Sequence, residues 1–191
     1  IKTAQTNWIG KSQGAEIDFQ LEPGDDSMHI TVFTTRPDTI FGATFLVLAP
    51  EHPWVTAALK QGAIKNAADV ETYVKQAVAK SEIERQMDTK EKTGIVLDGI
   101  EAINPATGVK IPVWVADYVL VGYGTGAIMA VPAHDDRDHA FAEKFSLPII
   151  EVVEDSTQVL KNSGEFDGVP TNEARETVVA WLEQQGVGQS K

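Results

Sequence analysis

Residues 121–139 read Val-Gly-Tyr-Gly-Thr-Gly-Ala-Ile-Met-Ala-Val-Pro-Ala-His-Asp-Asp-Arg-Asp-His, the stretch around which the chain is organised. Three alternate glycines open it, and they allow close backbone approach and positive φ angles. Ala127 to Val131 then alternates in size like a buried strand, which the following proline ends. Asp135, with Asp138 three residues later, is typical of a capped helix start, so a helix is predicted over 135–145. Ionisable side chains are therefore expected where a buried strand gives way to a helix.

The composition predicts one soluble, cytoplasmic domain. A chain of 191 residues with 42% hydrophobic content can bury a full core. The absence of cysteine excludes a disulfide framework and a thiolate zinc site and favours a reducing compartment. Apolar runs such as 40–50 are too short to span a bilayer. Because the chain starts without methionine, we expect residues 1–191 to be a single domain excised from a longer protein.

The charge limits the kind of partner that the chain can bind. Its formal net charge is −12. A broad face for nucleic acid needs many Lys and Arg side chains, which displace counterions from the phosphates. Any contact with nucleic acid is therefore expected to be local.

Strand patterns recur along the chain without a regular alternation of strands and helices. Apolar and β-branched runs predict strands over 28–33, 43–49, 94–97, 109–115, 117–121 and 148–153, with the fourth and fifth paired. This order favours an α+β domain with a mixed or barrel-like sheet.

Helical spacing predicts two helices within 53–80 and another over 171–185, which Thr171 caps and Gly186 stops. Residues 34–39 are predicted to form a polar loop. The charged segment 81–93 is predicted to be a solvated helix or a mobile excursion.

The glycine-rich turn does not match the established phosphate-binding loops. Gly126 is followed by Ala-Ile where a P-loop has Lys-Ser/Thr, and the glycine spacing differs from that of a dinucleotide fingerprint. A tight strand connection is the alternative role of these glycines.

The ionisable cluster after the strand has more than one interpretation. Asp135 and His139 lie four residues apart, as metal ligands on a helix can, but no His-Glu-x-x-His pattern or cysteine supports a metal site. Ordinary helix capping is the alternative for Asp135 and Asp136. Asp138 has a different interpretation if its side chain turns into a cleft, because a carboxylate there can bind an ammonium group.

The hexapeptide from Thr34 to Thr39 offers three hydroxyl groups around a rigid proline. Each threonine alone is compatible with plain strand-end structure, but together they can hold a water or a sugar hydroxyl by hydrogen bonds. No serine lies in a nucleophile-elbow context, and cysteine is absent, so covalent catalysis is not predicted.

Three motifs resemble the editing insertion of bacterial-type leucyl-tRNA synthetases, and the resemblance extends from Trp8 to the helix around Trp181. They are Thr34-Thr-Arg-Pro-Asp-Thr-Ile-Phe-Gly-Ala-Thr44, Ile111-Pro-Val-Trp-Val-Ala-Asp-Tyr-Val-Leu120 and Gly122-Tyr-Gly-Thr-Gly-Ala-Ile-Met-Ala-Val-Pro-Ala-His-Asp-Asp-Arg-Asp138. Isoleucyl and valyl enzymes share the general plan, but these motifs are of the leucyl kind.

This resemblance implies a small β-barrel or mixed sheet surrounded by helices. It also implies post-transfer editing, in which the aminoacyl ester of mischarged tRNA(Leu) is hydrolysed and Leu-tRNA(Leu) is spared. The ligase active site would lie on a body outside this chain, with 1–21 and 186–191 near the linkers.

Site roles follow from the resemblance position by position. Asp138 is expected to bind the α-ammonium of the wrong amino acid, and Thr39 to exclude leucine from the base of the pocket. Thr34 and Thr35 are expected to contact the terminal adenosine or the hydrolytic water. The remaining residues line the pocket or support its loop and helix: Tyr123, Met129, Val131, His134, Arg36 and Arg137. Asp136 carries no role.

The implied partners are the 3′ acceptor end of mischarged tRNA(Leu) and the remainder of the synthetase in cis, in a monomeric protein with no membrane contact. No cofactor and no metal are expected. Two alternatives remain open from the residues themselves. One is a catalytically silent module that binds the acceptor end, and the other is a metal-dependent hydrolase.

Overall fold

The computed structural model describes residues 14–25, 27–87 and 91–191, and its centre is a seven-stranded sheet. The nine strands are β1 (Ala15–Glu22), β2 (His29–Thr34), β3 (Phe45–Leu48), β4 (Gly94–Ile103), β5 (Lys110–Ala116), β6 (Ala127–Ala130), β7 (Val153–Glu154), β8 (Val159–Leu160) and β9 (Gly188–Ser190). The order in the main sheet is β2-β1-β4-β5-β3-β6, and β9 also pairs with β1. β7 and β8 form a separate hairpin.

The sheet is mixed, which confirms the predicted α+β class. β3 and β5 run parallel, whereas the other ladders are antiparallel. β2 and β6 lie at opposite ends of the strand order and come close together. No ladder joins them in the described part of the chain, so the sheet is not closed into a barrel.

Five α-helices and two short 3₁₀ helices surround the sheet in the described residues. The α-helices are α1 (Pro53–Gln61), α2 (Ala67–Val78), α3 (Glu82–Gln86), α4 (Asp136–Phe145) and α5 (Thr171–Gln184). The 3₁₀ helices are Pro37–Gly42 and Gly164–Phe166. The two helices predicted within 53–80 are confirmed, as is the helix after Asp135. At α5, Thr171 is the first helical residue and Pro170 is the N-cap, so the predicted cap is off by one residue.

Two hydrophobic clusters lie on the two faces of the sheet. β3 is buried along its whole length because it contributes to both of them. Leu46 and Leu48 belong to the larger cluster, which also contains residues of α5. Phe45 and Val47 point the other way, into a smaller cluster with Phe141 of α4, as the two-residue period of a strand requires. The smaller cluster packs α4 against one face of the sheet.

The predicted strand over 117–121 is wrong, because these residues form a turn between β5 and β6. Side chains bind the backbone polar groups that a strand would use. Arg85 donates to the carbonyl oxygens of Asp117 and Val119, at 2.8 Å each. The hydroxyl of Tyr73 accepts the N–H of Asp117 at 3.0 Å.

The strand predicted over 148–153 is also largely wrong, since only Val153–Glu154 is extended and paired. The imidazole Nε2 of His134 accepts the N–H groups of Val152 and Val153, at 3.1 and 3.2 Å. Pro148 has no N–H to donate. The N–H groups of Val152 and Val153 are thus bound by a side chain, while the carbonyl oxygen of Val152 accepts the N–H of Lys161 at 3.0 Å.

The segment predicted as a polar loop and the segment predicted as solvated or mobile are both partly buried. The polar loop at 34–39 continues into the 3₁₀ helix Pro37–Gly42, whose residues are buried. In the charged segment 81–93, α3 begins with a capping box at Ser81, but Arg85 is only 4% exposed. Residues 1–13, including Trp8 and most of the N-terminal linker segment predicted at 1–21, lie outside the described residues, as do residues 88–90.

Asn104 joins the 3₁₀ helix Pro37–Gly42 to the turn between β4 and β5. Its side chain is 1% exposed. The amide nitrogen donates to the carbonyl oxygens of Ile40 and Ala43, at 2.9 and 3.2 Å, and the amide oxygen accepts the N–H of Ala106 at 2.9 Å. This one side chain therefore fixes the segment that carries Thr39.

Replacing Asn104 with alanine should destabilise the fold by about 2–4 kcal/mol, because three hydrogen bonds to the backbone are lost, two of them to the buried carbonyl groups of Ile40 and Ala43. Urea unfolding of both proteins measures this difference. Asn172→Ala is the matched control, since Asn172 is exposed and should change the free energy of unfolding by less than about 0.5 kcal/mol. Equal stability of the two variants would contradict the role of Asn104.

Candidate functional site

The ten residues predicted for the site line one cleft of about 190 Å³, here called the Asp138 cleft. It lies between the end of β2, the start of the 3₁₀ helix, the turn before β6, β6 itself and the start of α4. Its lining comprises Thr34, Thr35, Arg36, Thr39, Tyr123, Met129, Val131, His134, Arg137 and Asp138, together with Phe33, Ile128 and Asp135. The fold thus brings together two segments that are about a hundred positions apart in the sequence.

Asp138 faces the interior because of the way α4 packs. Phe141, three residues later, lies on the same face of the helix and is fully buried against Phe45 and Trp114. Burying a ring of this size stabilises the packing by about 1.5–3 kcal/mol. Asp135 caps the helix by accepting the N–H groups of Arg137 and Asp138, at 2.9 and 3.2 Å. The cap and the ring together leave Asp138 only 4% exposed.

Each carboxylate oxygen of Asp138 accepts one hydrogen bond. Oδ2 accepts the N–H of Val131 at 2.9 Å, and Oδ1 accepts the hydroxyl hydrogen of Tyr118 at 3.0 Å. The carboxylate therefore turns into the cleft rather than closing a capping box with Asp135. In the described part of the chain no basic side chain forms an ion pair with it.

The pKa of Asp138 is raised from 3.8 to about 7. Burial is the main cause, and the negative charge of Asp135 adds to it. The hydrogen bonds from Val131 and Tyr118 and the positive charge of Arg137 oppose the rise. A buried carboxylate that lacks a cationic partner is disfavoured in its charged form, so a bound cation would relieve that cost.

The other acids of the site are paired. Burial acts to raise the pKa of Asp135, but the hydrogen bonds and charge of Arg137 and the two helix N–H donors outweigh it, and the pKa is lowered. Asp38 is fully buried and is bound by Arg36, with the shortest N–O distance at 2.8 Å. Arg36 and Arg137 thus support the loop and the helix start through neighbouring acids.

The threonines differ in how far their hydroxyl groups are engaged. Thr39 is buried and donates to the carbonyl oxygen of Arg36 at 2.9 Å, which fixes its side chain at the cleft. Thr34 accepts the N–H of Arg36 at 3.0 Å, and its own hydroxyl hydrogen remains for another acceptor. Thr35 is exposed and lines the cleft. Thr34 and Thr35 can therefore offer hydrogen bonds to a bound molecule.

His134 lines the cleft and also anchors residues 152–153. Because its Nε2 accepts two backbone N–H groups, the proton of the neutral ring lies on Nδ1. Burial lowers the pKa of His134, and the positive charge of Arg36 lowers it further. The imidazole is therefore a neutral wall of the cleft.

The apolar wall consists of Met129 and Val131, while Tyr123 stands at the rim, 69% exposed. The turn that presents Tyr123 depends on Gly124 and Gly126, which have φ angles of 58° and 75°. These glycines shape the entry into β6, as the strand-connection interpretation expects.

Asp135 and His139, considered above as metal ligands, are used within the helix start. Asp135 is the N-cap, and the Nδ1 atom of His139 lies 2.9 Å from the carbonyl oxygen of Pro132. No group of three or more His, Cys, Asp or Glu side chains suited to a metal ion occurs within the described ranges. In the same part of the chain, no helix has the length and apolar character that a bilayer span requires.

Sequence reasoning missed Tyr118 and Asp38. Tyr118 was predicted as a strand residue, yet a tyrosine inside an apolar run needs a partner for its hydroxyl group, and that need was the available signal. Asp38 follows Arg36 within two residues, and only the structure shows that it is the buried partner of that arginine.

A family model described as leucyl-tRNA synthetase, editing domain, matches residues 6–183. A leucine–tRNA ligase of Alkaliphilus oremlandii is 46% identical over 202 residues, which cover 100% of this chain and 25% of that relative. A leucine–tRNA ligase of Herpetosiphon aurantiacus is 50% identical over 204 residues, covering 98% of this chain and 24% of that relative. The chain thus spans about a quarter of the length of these curated relatives.

A solved structure is similar as well. It is the ternary complex of Agrobacterium radiobacter K84 agnB2 LeuRS with tRNA and LeuAMS. The TM-score is 0.79 at 34% sequence identity, and the match covers 100% of this chain and 21% of that one.

The raised pKa of Asp138 predicts a pH-dependent effect of Asp138→Asn on stability. The asparagine keeps both contacts, since its oxygen can accept from Val131 and its amide can donate to the Tyr118 oxygen. Between about pH 4 and pH 7 the folded wild type holds a proton on Asp138 that the unfolded chain releases. The contribution of this proton to the free energy of unfolding is fully present below about pH 4. It is lost by on the order of 1.4 kcal/mol per pH unit as the pH rises to about 7.

Urea unfolding between about pH 4 and pH 8 tests this prediction. The free energy of unfolding of the variant minus that of the wild type should increase by a few kcal/mol over the range. Asp136→Asn removes the same charge from an exposed neighbour and should give a flat difference. A flat difference for Asp138→Asn would show that its carboxyl group is not held in the folded state as described.

Proposed function

The chain belongs to the leucyl-tRNA synthetase editing-domain family, and from this premise we propose that it hydrolyses the aminoacyl ester of mischarged tRNA(Leu) and spares Leu-tRNA(Leu). The reaction class is ester hydrolysis by water at the terminal ribose of the tRNA. The chain would then be an aminoacyl-tRNA hydrolase, with the ligase active site elsewhere in the longer protein.

The observation that carries this proposal is the carboxylate of Asp138, which has no ion-pair partner among the described residues and lies in a cleft of hydroxyl and aliphatic groups. Every aminoacyl ester has an α-ammonium, which such a carboxylate binds by a charge-assisted hydrogen bond. Asp138 is the third residue of α4, where helix N–H groups favour negative charge and help to keep the carboxylate ionised. Binding an ammonium replaces the missing cationic partner.

The size of the cleft suits an amino-acid group rather than a whole nucleotide. Its volume of about 190 Å³ is below the range of about 300–1,000 Å³ that is usual for small-molecule pockets. The terminal adenosine would therefore lie partly outside, over the rim. Tyr123 is exposed there and offers a ring on which a base can stack.

The threonines and the backbone would act on the reacting ester. A bound water attacks the carbonyl carbon, and donors near the carbonyl oxygen stabilise the negative charge that develops on it. Thr34 and Thr35 are the hydroxyl groups available for the water or the terminal adenosine. A ribose hydroxyl can assist proton transfer. No covalent enzyme intermediate and no metal are part of this proposal.

Thr39 would provide the discrimination against leucine. One methylene changes binding by only about 1–3 kcal/mol, so a synthetic site cannot reject close analogues and a second sieve with the opposite steric preference is needed. Thr39 is held at the cleft by its bond to the Arg36 carbonyl oxygen. A rigid side chain at this position excludes the correct amino acid by steric clash.

The proposed partner in trans is the single-stranded acceptor end of tRNA(Leu), and the partner in cis is the rest of the synthetase. A wider groove of about 710 Å³ adjoins the cleft at Thr35 and is lined also by Arg175 and Lys191, so there is room for more of the strand. Gly14 and Lys191 are joined by two backbone hydrogen bonds, of 3.2 and 2.9 Å. Residues 14 and 191 therefore lie side by side.

Asp138→Asn should reduce the deacylation of tRNA(Leu) charged with isoleucine by at least about 100-fold, because the ammonium loses its charged partner while the local hydrogen bonds remain. Release of the amino acid, measured under single-turnover conditions with this chain in excess, reports the loss. Asp136→Asn is the control with the same charge change and should be close to wild type.

Three results would count against this assignment. Near-normal hydrolysis by the Asp138→Asn variant would show that Asp138 does not bind the α-ammonium. Binding of the acceptor end without any hydrolysis by the wild type would favour the silent binding module. Hydrolysis that a strong chelator stops would favour a metal-dependent enzyme.

Thr39→Ala should make the chain hydrolyse Leu-tRNA(Leu) at least about tenfold faster than wild type, since the floor of the cleft becomes large enough for leucine. The same release assay with correctly charged tRNA measures the gain. Thr56→Ala, at an exposed position of α1, is the matched control and should leave Leu-tRNA(Leu) intact. If the Thr39 variant also spares Leu-tRNA(Leu), the sieve lies elsewhere.

A further inference from the structure

Tyr118 is buried beside the Asp138 cleft without lining it. Its ring is 6% exposed and packs against Phe141 with the ring centres 5.7 Å apart. Its hydroxyl group donates to Oδ1 of Asp138 at 3.0 Å. Burial raises the pKa of Tyr118 well above its ordinary value, and the charge of Asp138 adds to this, so the phenol remains a neutral donor.

Arg85 holds the backbone on both sides of Tyr118. Its guanidinium group is buried and donates to the carbonyl oxygens of Asp117 and Val119, each at 2.8 Å. Glu51 balances its charge through a salt bridge. Because the residues before and after Tyr118 are fixed by one rigid planar group, the direction of the tyrosine side chain is fixed as well.

The hydroxyl of Tyr118 determines how the carboxylate of Asp138 is oriented. With one donor on each oxygen, the plane of the carboxylate is fixed and lone pairs remain for a ligand. Without Tyr118, only the N–H of Val131 would hold it, and Oδ1 would be buried without a partner. The other charged groups around this pair are Asp135 at the N-cap of α4, Arg137 on α4, and Lys92, whose Nζ lies 5.8 Å from the centre of the Tyr118 ring.

We propose that Tyr118 is a positioning residue for the reaction, which orients Asp138 towards the α-ammonium and keeps it ionised, and that Arg85 in turn holds Tyr118. This inference rests on the proposed function, because it assumes that Asp138 binds the ammonium. Tyr118 itself touches neither the ester nor the water.

Tyr118→Phe removes the hydroxyl and keeps the ring. The carboxylate then loses a donor that favours its charged form, so the midpoint of Asp138 ionisation should rise by about one pH unit. Titration of the Asp138 side-chain carboxyl carbon by NMR in the 191-residue chain measures this midpoint without any substrate. The acidic limb of kcat/KM for deacylation should move up by the same amount, with about a tenfold loss below the limb.

Tyr73→Phe is the matched control, because it removes another tyrosine hydroxyl that binds the same turn, through the N–H of Asp117. It should lower stability and leave the Asp138 midpoint and the kinetic limb unchanged. An unmoved midpoint in the Tyr118→Phe protein overturns the proposal whatever the activity. A raised midpoint of Asp138 ionisation with an unchanged acidic limb of kcat/KM also overturns it. Failure of the proposed function is a separate result, because it would appear as normal deacylation by the Asp138→Asn variant.

Discussion

The burial of the Asp138 carboxylate is the constraint on which the site depends. It joins three segments of the chain, since Val131 follows β6, Tyr118 lies in the turn before that strand, and Asp138 belongs to α4. Val131 has left the strand ladder, so its N–H needs a partner, and the carboxylate supplies one. The position of the helix start and the end of the strand are therefore fixed by the same side chain that faces the cleft.

The contrast with neighbouring acids explains why this carboxylate is available for a ligand. Asp38 and Asp135 are neutralised by Arg36 and Arg137, which makes them part of the scaffold. Asp138 has hydrogen-bond donors but, among the residues that the structure describes, no cationic partner, and burial raises its pKa to about 7. A buried charge without a cationic partner destabilises the free domain, and a bound cation removes that cost. Such groups are common at functional sites.

Much of the fold was predictable from local patterns, but the connections were not. The two-residue period of β1 and the capped start of α4 are visible in the sequence because they depend on neighbouring residues. The turn at 117–121 and the segment at 148–153 have the apolar composition of strands. Side chains that are distant in sequence, Arg85 and His134, bind backbone groups in them, and local patterns do not show such partners. Asp138 and the three threonines are candidates from the residues themselves, and the roles of all ten site residues follow from the resemblance, whereas the role of Tyr118 needed the structure.

Under the proposed function, Asp138 cannot provide selectivity, because every amino acid carries the ammonium that it binds. Discrimination must come from the wall and floor of the cleft, where Met129 and Val131 accept an aliphatic chain and Thr39 limits its shape. The engagement of the Thr39 hydroxyl with the Arg36 carbonyl oxygen matters for this reason, because a side chain that could rotate away would admit leucine. The domain thus separates a general anchor, which must stay charged, from a local steric filter, which must stay rigid.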